Sequence, residues 1–262
     1  MNRLSVRLRT PAKVNLYLHV GDVRSDGYHS ITTVFLPLFD LCDFVTVEPR
    51  PGAPFTVSAD SDDTPEGEGN ICHTAGTLFA RSSGISLEGV QVHIEKHIPV
   101  AAGLGGGSPD AAALLNAPNP GFNHPLGQED VQAIATEVGA DVPFFLNPAP
   151  AVARGIGNEF EPIHFNAEMC VLVVNPGFPI SAKWGYSNHN QIRHLSAPPI
   201  ESLIKAMEQG DVDYIAENTF NALEYPVCYK FPVVEMLLDS LRDAGCVTAH
   251  VSGSGSTVFG IS

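Results

Sequence analysis

Residues 99–113, Pro99-Val100-Ala101-Ala102-Gly103-Leu104-Gly105-Gly106-Gly107-Ser108-Pro109-Asp110-Ala111-Ala112-Ala113, carry the strongest chemical signal in this chain. Four glycines stand between an alternating apolar segment (Val90, Val92, Ile94) and an alanine-rich segment. Glycine lets the backbone approach a ligand closely and adopt positive φ. A helix that starts behind such a loop offers unpaired N–H groups and the positive end of its dipole, which favours a phosphate. Glycines alone would equally suit a turn that binds nothing. The Ser-Pro-Asp-Ala-Ala continuation favours the phosphate reading, with Ser108 expected as helix cap and Pro109 at the first helical position. The loop lacks the Gly-Lys-Ser/Thr ending of a Walker A sequence. It has no early βαβ unit with an acidic residue at the dinucleotide-binding distance.

Two further side chains could do chemistry with a phosphate. Lys13, in Pro11-Ala12-Lys13-Val14-Asn15, shares a strand face with Asn15, Tyr17 and His19 by alternation. Taken alone it reads as an ordinary solvent-facing lysine. Asp141, in Gly139-Ala140-Asp141-Val142-Pro143, taken alone reads as a solvated or capping carboxylate. A second small-residue loop, Ser252-Gly253-Ser254-Gly255-Ser256, lies near the end of the sequence.

These residues need elements to hold them. Leu4, Val6 and Leu8 alternate, as do Val14, Leu16, Leu18 and Val20, which predicts two strands, each with one buried face. Segments 31–38 and 44–47 read as further strands, and 21–27 as a polar turn. Residues 60–69 form an acidic, breaker-rich loop. Asn70 is the expected N-cap of a helix through Ser83, with Gly84 as its stop. Another helix is expected over 128–138, broken by Pro143. The apolar run 169–175 predicts a buried strand, and helices follow near 199–209, 211–220 and 231–244. Strands at 247–251 and 257–259 flank the second loop. With strands dominating the first third and helices the last, the chain reads as α+β.

Composition narrows the partners. The chain has 262 residues, 44% of them hydrophobic, and a formal net charge of −15 from 14 basic and 29 acidic side chains. That balance argues against nucleic acid or an anionic membrane as partner. It leaves room for an anionic small molecule in a local positive pocket. Five scattered cysteines (42, 72, 170, 228, 246) without CxxC spacing argue against a disulfide framework and a zinc site and fit a reducing cytoplasm. No apolar run approaches a membrane span, and the start of the sequence has no signal-peptide core.

Taken together, Pro11–Asn15, Gly103–Ser108 and Ser252–Ser256 resemble, in order, the three motifs of the GHMP kinase superfamily. Arg24-Ser25-Asp26-Gly27-Tyr28-His29, Lys96-His97-Ile98-Pro99-Val100 and Gly139–Phe145 resemble the branch that phosphorylates a cytidine-diphosphate methylerythritol. The resemblance covers nearly the whole chain. It implies a two-domain α+β architecture, with a ribosomal-protein-S5-domain-2-like segment at 1–157 and a ferredoxin-like α/β segment at 158–262. The family carries a further helix and strand after its last motif, so the second domain either is incomplete in this sequence or closes differently.

The resemblance also implies an activity: transfer of the γ-phosphoryl of ATP, accompanied by Mg2+, to the 2-hydroxyl of the methylerythritol unit. Asp141 matches the family's catalytic base and Lys13 its catalytic partner. A carboxylate can take the hydroxyl proton, and a lysine keeps it ionised and offsets charge on the transferring group. Asn15 would orient the substrate or Lys13. Gly103, Leu104, Gly105, Gly106, Gly107 and Ser108 would hold the ATP phosphates, with Asn70 and Lys96 near the adenosine. Tyr28 and His29 match the cytosine site, where either Tyr186 or Trp184 would supply the second aromatic face. Gly253 and Ser254 would line the substrate diphosphate or brace the glycine loop. No protein ligand is assigned to Mg2+, and a monomer or weak homodimer is expected. Two alternatives stand beside this reading: another GHMP small-molecule kinase, or a catalytically silent nucleotide-binding homologue. The segment 116–126, with its prolines at 118, 120 and 125, departs from the family's continuous helix.

Overall fold

The structure is a computed structural model and describes residues 5–117, 125–189 and 196–262. The segment 118–124, which holds most of the departure noted above, lies outside the described residues. The chain folds into two compact units, each assembled from separate stretches of sequence. The first comprises residues 1–12, 38–100 and 105–148, and the second residues 13–37, 101–104 and 149–262.

Two long strands replace the four shorter ones that alternation suggests: β1 (Val6–Val23) and β2 (His29–Pro49). Alternation fails as a guide here because every residue from Ala12 to Leu18 is buried, on both faces of β1. Pleat parity therefore does not separate Lys13 and Asn15 from solvent-shielded neighbours.

In the first unit, the later part of β2 pairs antiparallel with β4 (Val90–Glu95), from Phe44 opposite Glu95 to Pro49 opposite Val90. β3 (Thr56–Ala59) lies parallel to β4 on its other side. Helix α1 (Ile71–Ser83) begins and ends as the sequence requires. The Asn70 side chain accepts from Cys72 N, and Gly84 closes the helix at φ 70° with its N–H on Ala80 O. Its inner face buries Cys72, Ala75, Leu78 and Phe79. Full burial of a side chain such as Leu78 or Phe79 contributes roughly 1.5–3 kcal/mol. α2 (Ser108–Asn116) and α3 (Gln128–Val138) follow, the latter started by Asp130 Oδ2 accepting from Gly127 N at 3.2 Å. Pro143 does not simply break the chain. It sits in the first turn of a short helix, α4 (Val142–Leu146), where its missing N–H costs nothing.

In the second unit, Thr33–Phe35 of β2 pair antiparallel with β5 (Ala151–Arg154), which pairs with β6 (Glu159–Pro162). Tyr17 and Leu18 of β1 pair in parallel with β8 (Phe220–Asn221). A separate sheet has the order β7 (Val171–Val174), β10 (Val258–Ile261), β9 (Thr248–Val251). The expected burial of β7 is not found: it is an edge strand, and Leu172 is exposed. The central strand is β10, buried along its whole length. Helices α6 (Ile200–Gln209), α7 (Val212–Asn218) and α9 (Pro232–Asp243) match expectation. α5 (Ala182–Asn188) and α8 (Glu224–Lys230) are short and were not legible in the sequence. Val234, Leu238 and Leu241 of α9 pack with Ala249, Val251 and Val258 into one core.

Candidate active site

The glycine loop passes from one unit to the other between Leu104 and Gly105. In the first unit, Gly105 (φ 104°) and Gly106 (φ 53°) adopt backbone conformations that suit glycine. A Cβ on Gly105 would also lie 2.7 Å from the Phe145 ring. The cap of α2 is Gly107 and not Ser108, which stands one position inside the helix with Pro109 after it. The shift follows from Gly107 already having helical φ and ψ and taking the Ala111 N–H at 3.0 Å. No side chain caps this end. The N–H groups of Gly106 and Gly107 have no acceptor among the described residues. Unpaired donors at a helix start, without a side-chain cap, are what a phosphate requires.

Asp141 also belongs to the first unit. It is half-buried and stands at the N-cap of α4, yet its carboxylate makes no capping bond. Asn70 is buried and engaged at both ends of its amide. Oδ1 accepts from Cys72 N at 2.8 Å and Nδ2 donates to Pro65 O at 2.7 Å. It ties the acidic loop to the start of α1, whose Ile71 would meet a Cβ on Gly107 at 2.8 Å. The Lys96 side chain is 4% exposed. Its ammonium is bonded to Asp43, to Asp110 Oδ2 at 2.8 Å and to Gly106 O at 3.3 Å.

In the second unit, Lys13 is only 4% exposed and lies among polar partners. Nζ donates to Asn15 Oδ1 at 2.6 Å and to Gly103 O at 3.0 Å, and stands 5.0 Å from the centre of the Phe35 ring. The Asn15 amide is held in turn, since Nδ2 donates to Thr33 Oγ1, which donates to Tyr17 O. Asn15 Oδ1 thus holds the Lys13 ammonium from one side. Leu104 is fully buried, so only its backbone is available; its carbonyl takes the Lys13 N–H.

The Ser-Gly loop braces the beginning of the glycine loop. Ser252 Oγ donates to Gly103 O at 2.8 Å and accepts from Asn15 N at 3.4 Å. Gly253 (φ 56°) lies where a Cβ would come 3.1 Å from Asn15 Oδ1. Ser254 is half-buried beside Gly185, whose Cβ would lie 3.2 Å from Ser254 Cβ. Asn221 holds this loop from beneath. Nδ2 donates to Val251 O and Gly253 O at 2.7 and 2.8 Å.

The aromatic residues separate. His29 and Tyr186 face each other at 20° with ring centroids 6.4 Å apart, and His189 meets His29 edge-on at 4.5 Å. Trp184 instead packs on Phe231 within the core of the unit. His29 Nδ1 contacts Gly21 O at 3.0 Å. A carbonyl only accepts, so Nδ1 carries a proton, and the tautomer with that single ring proton offers Nε2 as acceptor. Tyr28 is exposed and is presented by a turn in which Asp26 Oδ1 accepts its N–H at 3.1 Å. That bond, and then Arg24, lowers the Asp26 pKa.

Asp43, Asp110, Thr33 and Asn221 escaped the sequence reading as site residues. Each is a polar side chain within an apolar run, such as Leu41-Cys42-Asp43-Phe44-Val45 or Asp110-Ala111-Ala112-Ala113-Leu114-Leu115. That is the one signal that could have singled them out.

The chain resembles known proteins over nearly its whole length. Residues 70–147 match the model of the GHMP kinases N terminal domain, and residues 203–262 that of the GHMP kinases C terminal domain. A Caldicellulosiruptor bescii protein named 4-diphosphocytidyl-2-C-methyl-D-erythritol kinase is 36% identical over 256 residues, 98% of this chain and 89% of its own length. A protein of the same name from Acetivibrio thermocellus is 37% identical, over 98% of this chain and 90% of its own. A crystal structure of 4-(cytidine 5'-diphospho)-2C-methyl-D-erythritol kinase superposes with a TM-score of 0.82 at 33% identity, covering 98% of this chain and 90% of that one. A homoserine kinase from Cytophaga hutchinsonii shares the fold, with a TM-score of 0.77 at 18% identity.

Proposed function

The chain belongs to the GHMP kinase family, and on that footing we propose that it is an ATP-dependent kinase that phosphorylates the 2-hydroxyl of 4-diphosphocytidyl-2-C-methyl-D-erythritol. The likeness to proteins of that name, at 36–37% identity over 98% of the chain, carries the substrate. The free N–H groups of Gly106 and Gly107 at the start of α2 support the nucleotide. Phosphoryl transfer needs positioning and charge stabilisation more than reactive side chains, and the residues supply both.

In this reading the loop from Gly103 to Ser108 binds the ATP phosphates through its backbone. Asp141, free of any capping bond, takes the proton from the attacking hydroxyl. Lys13, aimed by Asn15 Oδ1 and Gly103 O, stabilises the charge on the transferring group. The cytosine lies against His29 and Tyr186, and His29 Nε2 accepts from its exocyclic amine. Tyr186 takes the stacking role in preference to Trp184 because its ring faces His29. Mg2+ arrives with ATP and offsets phosphate charge. Its coordination would come mainly from phosphate and water.

The same reading divides the sequence at 157 and 158 into its two family domains, and the matched segments fall on either side. It places the protein in the cytoplasm as a monomer or weak homodimer. Its five free thiols suit a reducing compartment. No helix of the described residues is long and apolar enough to cross a membrane.

The test is ADP release from Mg-ATP and 4-diphosphocytidyl-2-C-methyl-D-erythritol, beside an Asp141→Asn variant. The expected result is turnover by the wild type and a loss of at least about 100-fold in kcat for the variant. Folded, ATP-binding wild type without turnover would overturn the assignment in favour of a silent homologue. Turnover only with another alcohol would favour a different GHMP kinase.

A further inference from the structure

We propose that the buried ion triad Asp43–Lys96–Asp110 is the positioning device of the phosphate loop, and that Lys96 acts through Gly106 without touching the nucleotide. This rests on the ATP reading above. All the residues involved belong to the first unit.

The lysine has no donor left for a ligand. An ammonium carries three N–H groups. Those of Lys96 go to Asp43 Oδ2, to Asp110 Oδ2 and to Gly106 O, on a side chain only 4% exposed. Each partner ties down a different element. Asp43 belongs to β2, and its Oδ1 accepts the N–H of His97 and of Ile98 at 2.5 and 2.7 Å, fixing the segment that leads into the loop. Asp110 lies in the first turn of α2, the helix behind the loop. The third bond reaches the loop itself.

That third bond has a stereochemical consequence. In a trans peptide, the C=O and the following N–H point in opposite directions. Drawing Gly106 O toward Lys96 therefore turns the Gly107 N–H away from the triad. The Gly107 N–H is among the loop donors with no acceptor in the described residues. Gly106, at φ 53°, has no side chain to oppose the orientation.

The arrangement is a poor choice for stability alone. Two carboxylates share one ammonium in a site closed to water, and Asp110 Oδ1 has no hydrogen-bond partner. Buried ion clusters are often matched or bettered by apolar residues of similar volume, and an unsatisfied buried oxygen is destabilising. Burial, and secondarily the Asp43 charge, push Asp110 up to about 7 against the pull of Lys96. A site that retains such a group gains something besides stability. The position of Gly106 is the gain in view.

The experiment measures Mg-ATP binding by calorimetry and competition by adenosine, in wild type, Lys96→Met and Lys96→Met/Asp110→Leu. The double variant leaves Asp43 with its two backbone donors and no second buried carboxylate, so it keeps the test alive if the single variant does not fold. The expected result is a rise of at least about tenfold in the ATP dissociation constant. Adenosine and 4-diphosphocytidyl-2-C-methyl-D-erythritol would stay within about threefold of wild type. Restoring bulk without the ammonium moves only the phosphate-dependent term if Lys96 sets the loop. A folded variant with wild-type ATP affinity would overturn the proposal. So would equal losses for ATP and adenosine, which would put Lys96 at the nucleoside. Wild-type protein that binds no ATP would instead overturn the kinase reading, and the role of the triad with it.

Discussion

Replacing Gly103 by alanine should disable the site through geometry alone. Gly103 has φ 83°, and a Cβ there would lie 1.9 Å from Ser252 O. Reaching the 3.4 Å of an ordinary contact needs a shift of about 1.5 Å in one backbone or the other. Neither is a flexible side-chain end that could swing aside. The left-handed conformation adds ~1–2 kcal/mol for a residue with a Cβ. Displacing Gly103 O breaks its bonds from Lys13 Nζ and Ser252 Oγ. Those are worth ~1.5–3 and ~0.5–1.5 kcal/mol respectively. The sum is a destabilisation of about 3–6.5 kcal/mol. Gly84→Ala is the control, because Gly84 also has positive φ (70°) but a Cβ there meets nothing within 4 Å. It should cost only the ~1–2 kcal/mol of the left-handed conformation itself. Urea denaturation of both variants gives the difference, and kcat/KM gives the functional cost. Misplacing Lys13 by about 1 Å should lower activity ~100-fold in Gly103→Ala. If Gly103→Ala is no less stable than Gly84→Ala and retains wild-type kcat/KM, the close packing of Gly103 on Ser252 is not what holds Lys13.

Asn70→Ala should cost ~1 kcal/mol through loss of the α1 cap, read as a drop of roughly 2–4 °C in Tm. No change in Tm would mean the Cys72 N–H bond contributes nothing. Asp110→Asn should change the pH dependence of stability. A carboxyl raised in the folded state from 3.8 to about 7 contributes stability that is fully present below pH 3.8 and is lost as pH rises to 7. The stability of the variant relative to wild type should therefore increase from about pH 4 to about pH 7 and level off above, by at most about 4 kcal/mol at ~1.4 kcal/mol per pH unit. A flat difference would remove Asp110 as the titrating group. Chelating Mg2+ should abolish turnover while shifting Tm by less than about 1 °C in nucleotide-free protein, as befits an ion that enters with ATP. A large fall in Tm would reveal a cation held by the protein itself.

Much of this protein is legible in its sequence because local rules decide it. Asn70 and Gly84 bound α1 since a cap and a left-handed stop act within one turn. The glycine loop announces itself because positive φ and close approach demand glycine whatever surrounds it. The motifs on either side of it, with Lys13 at one end and Ser252–Ser256 at the other, specify the family. Tertiary structure decided the rest. Lys13 is buried because both faces of β1 are covered, which pleat parity cannot report. β7 is apolar yet half open because its neighbours place it at a sheet edge. Trp184 and Tyr186 are two residues apart, and only packing assigns one to Phe231 and the other to His29. Lys96 meets Asp43 and Asp110 across 53 and 14 residues of chain. Such partnerships depend on which strands pair and where a helix begins. Sequence spacing encodes the reach of a turn; contacts beyond that reach exist only once the chain has folded.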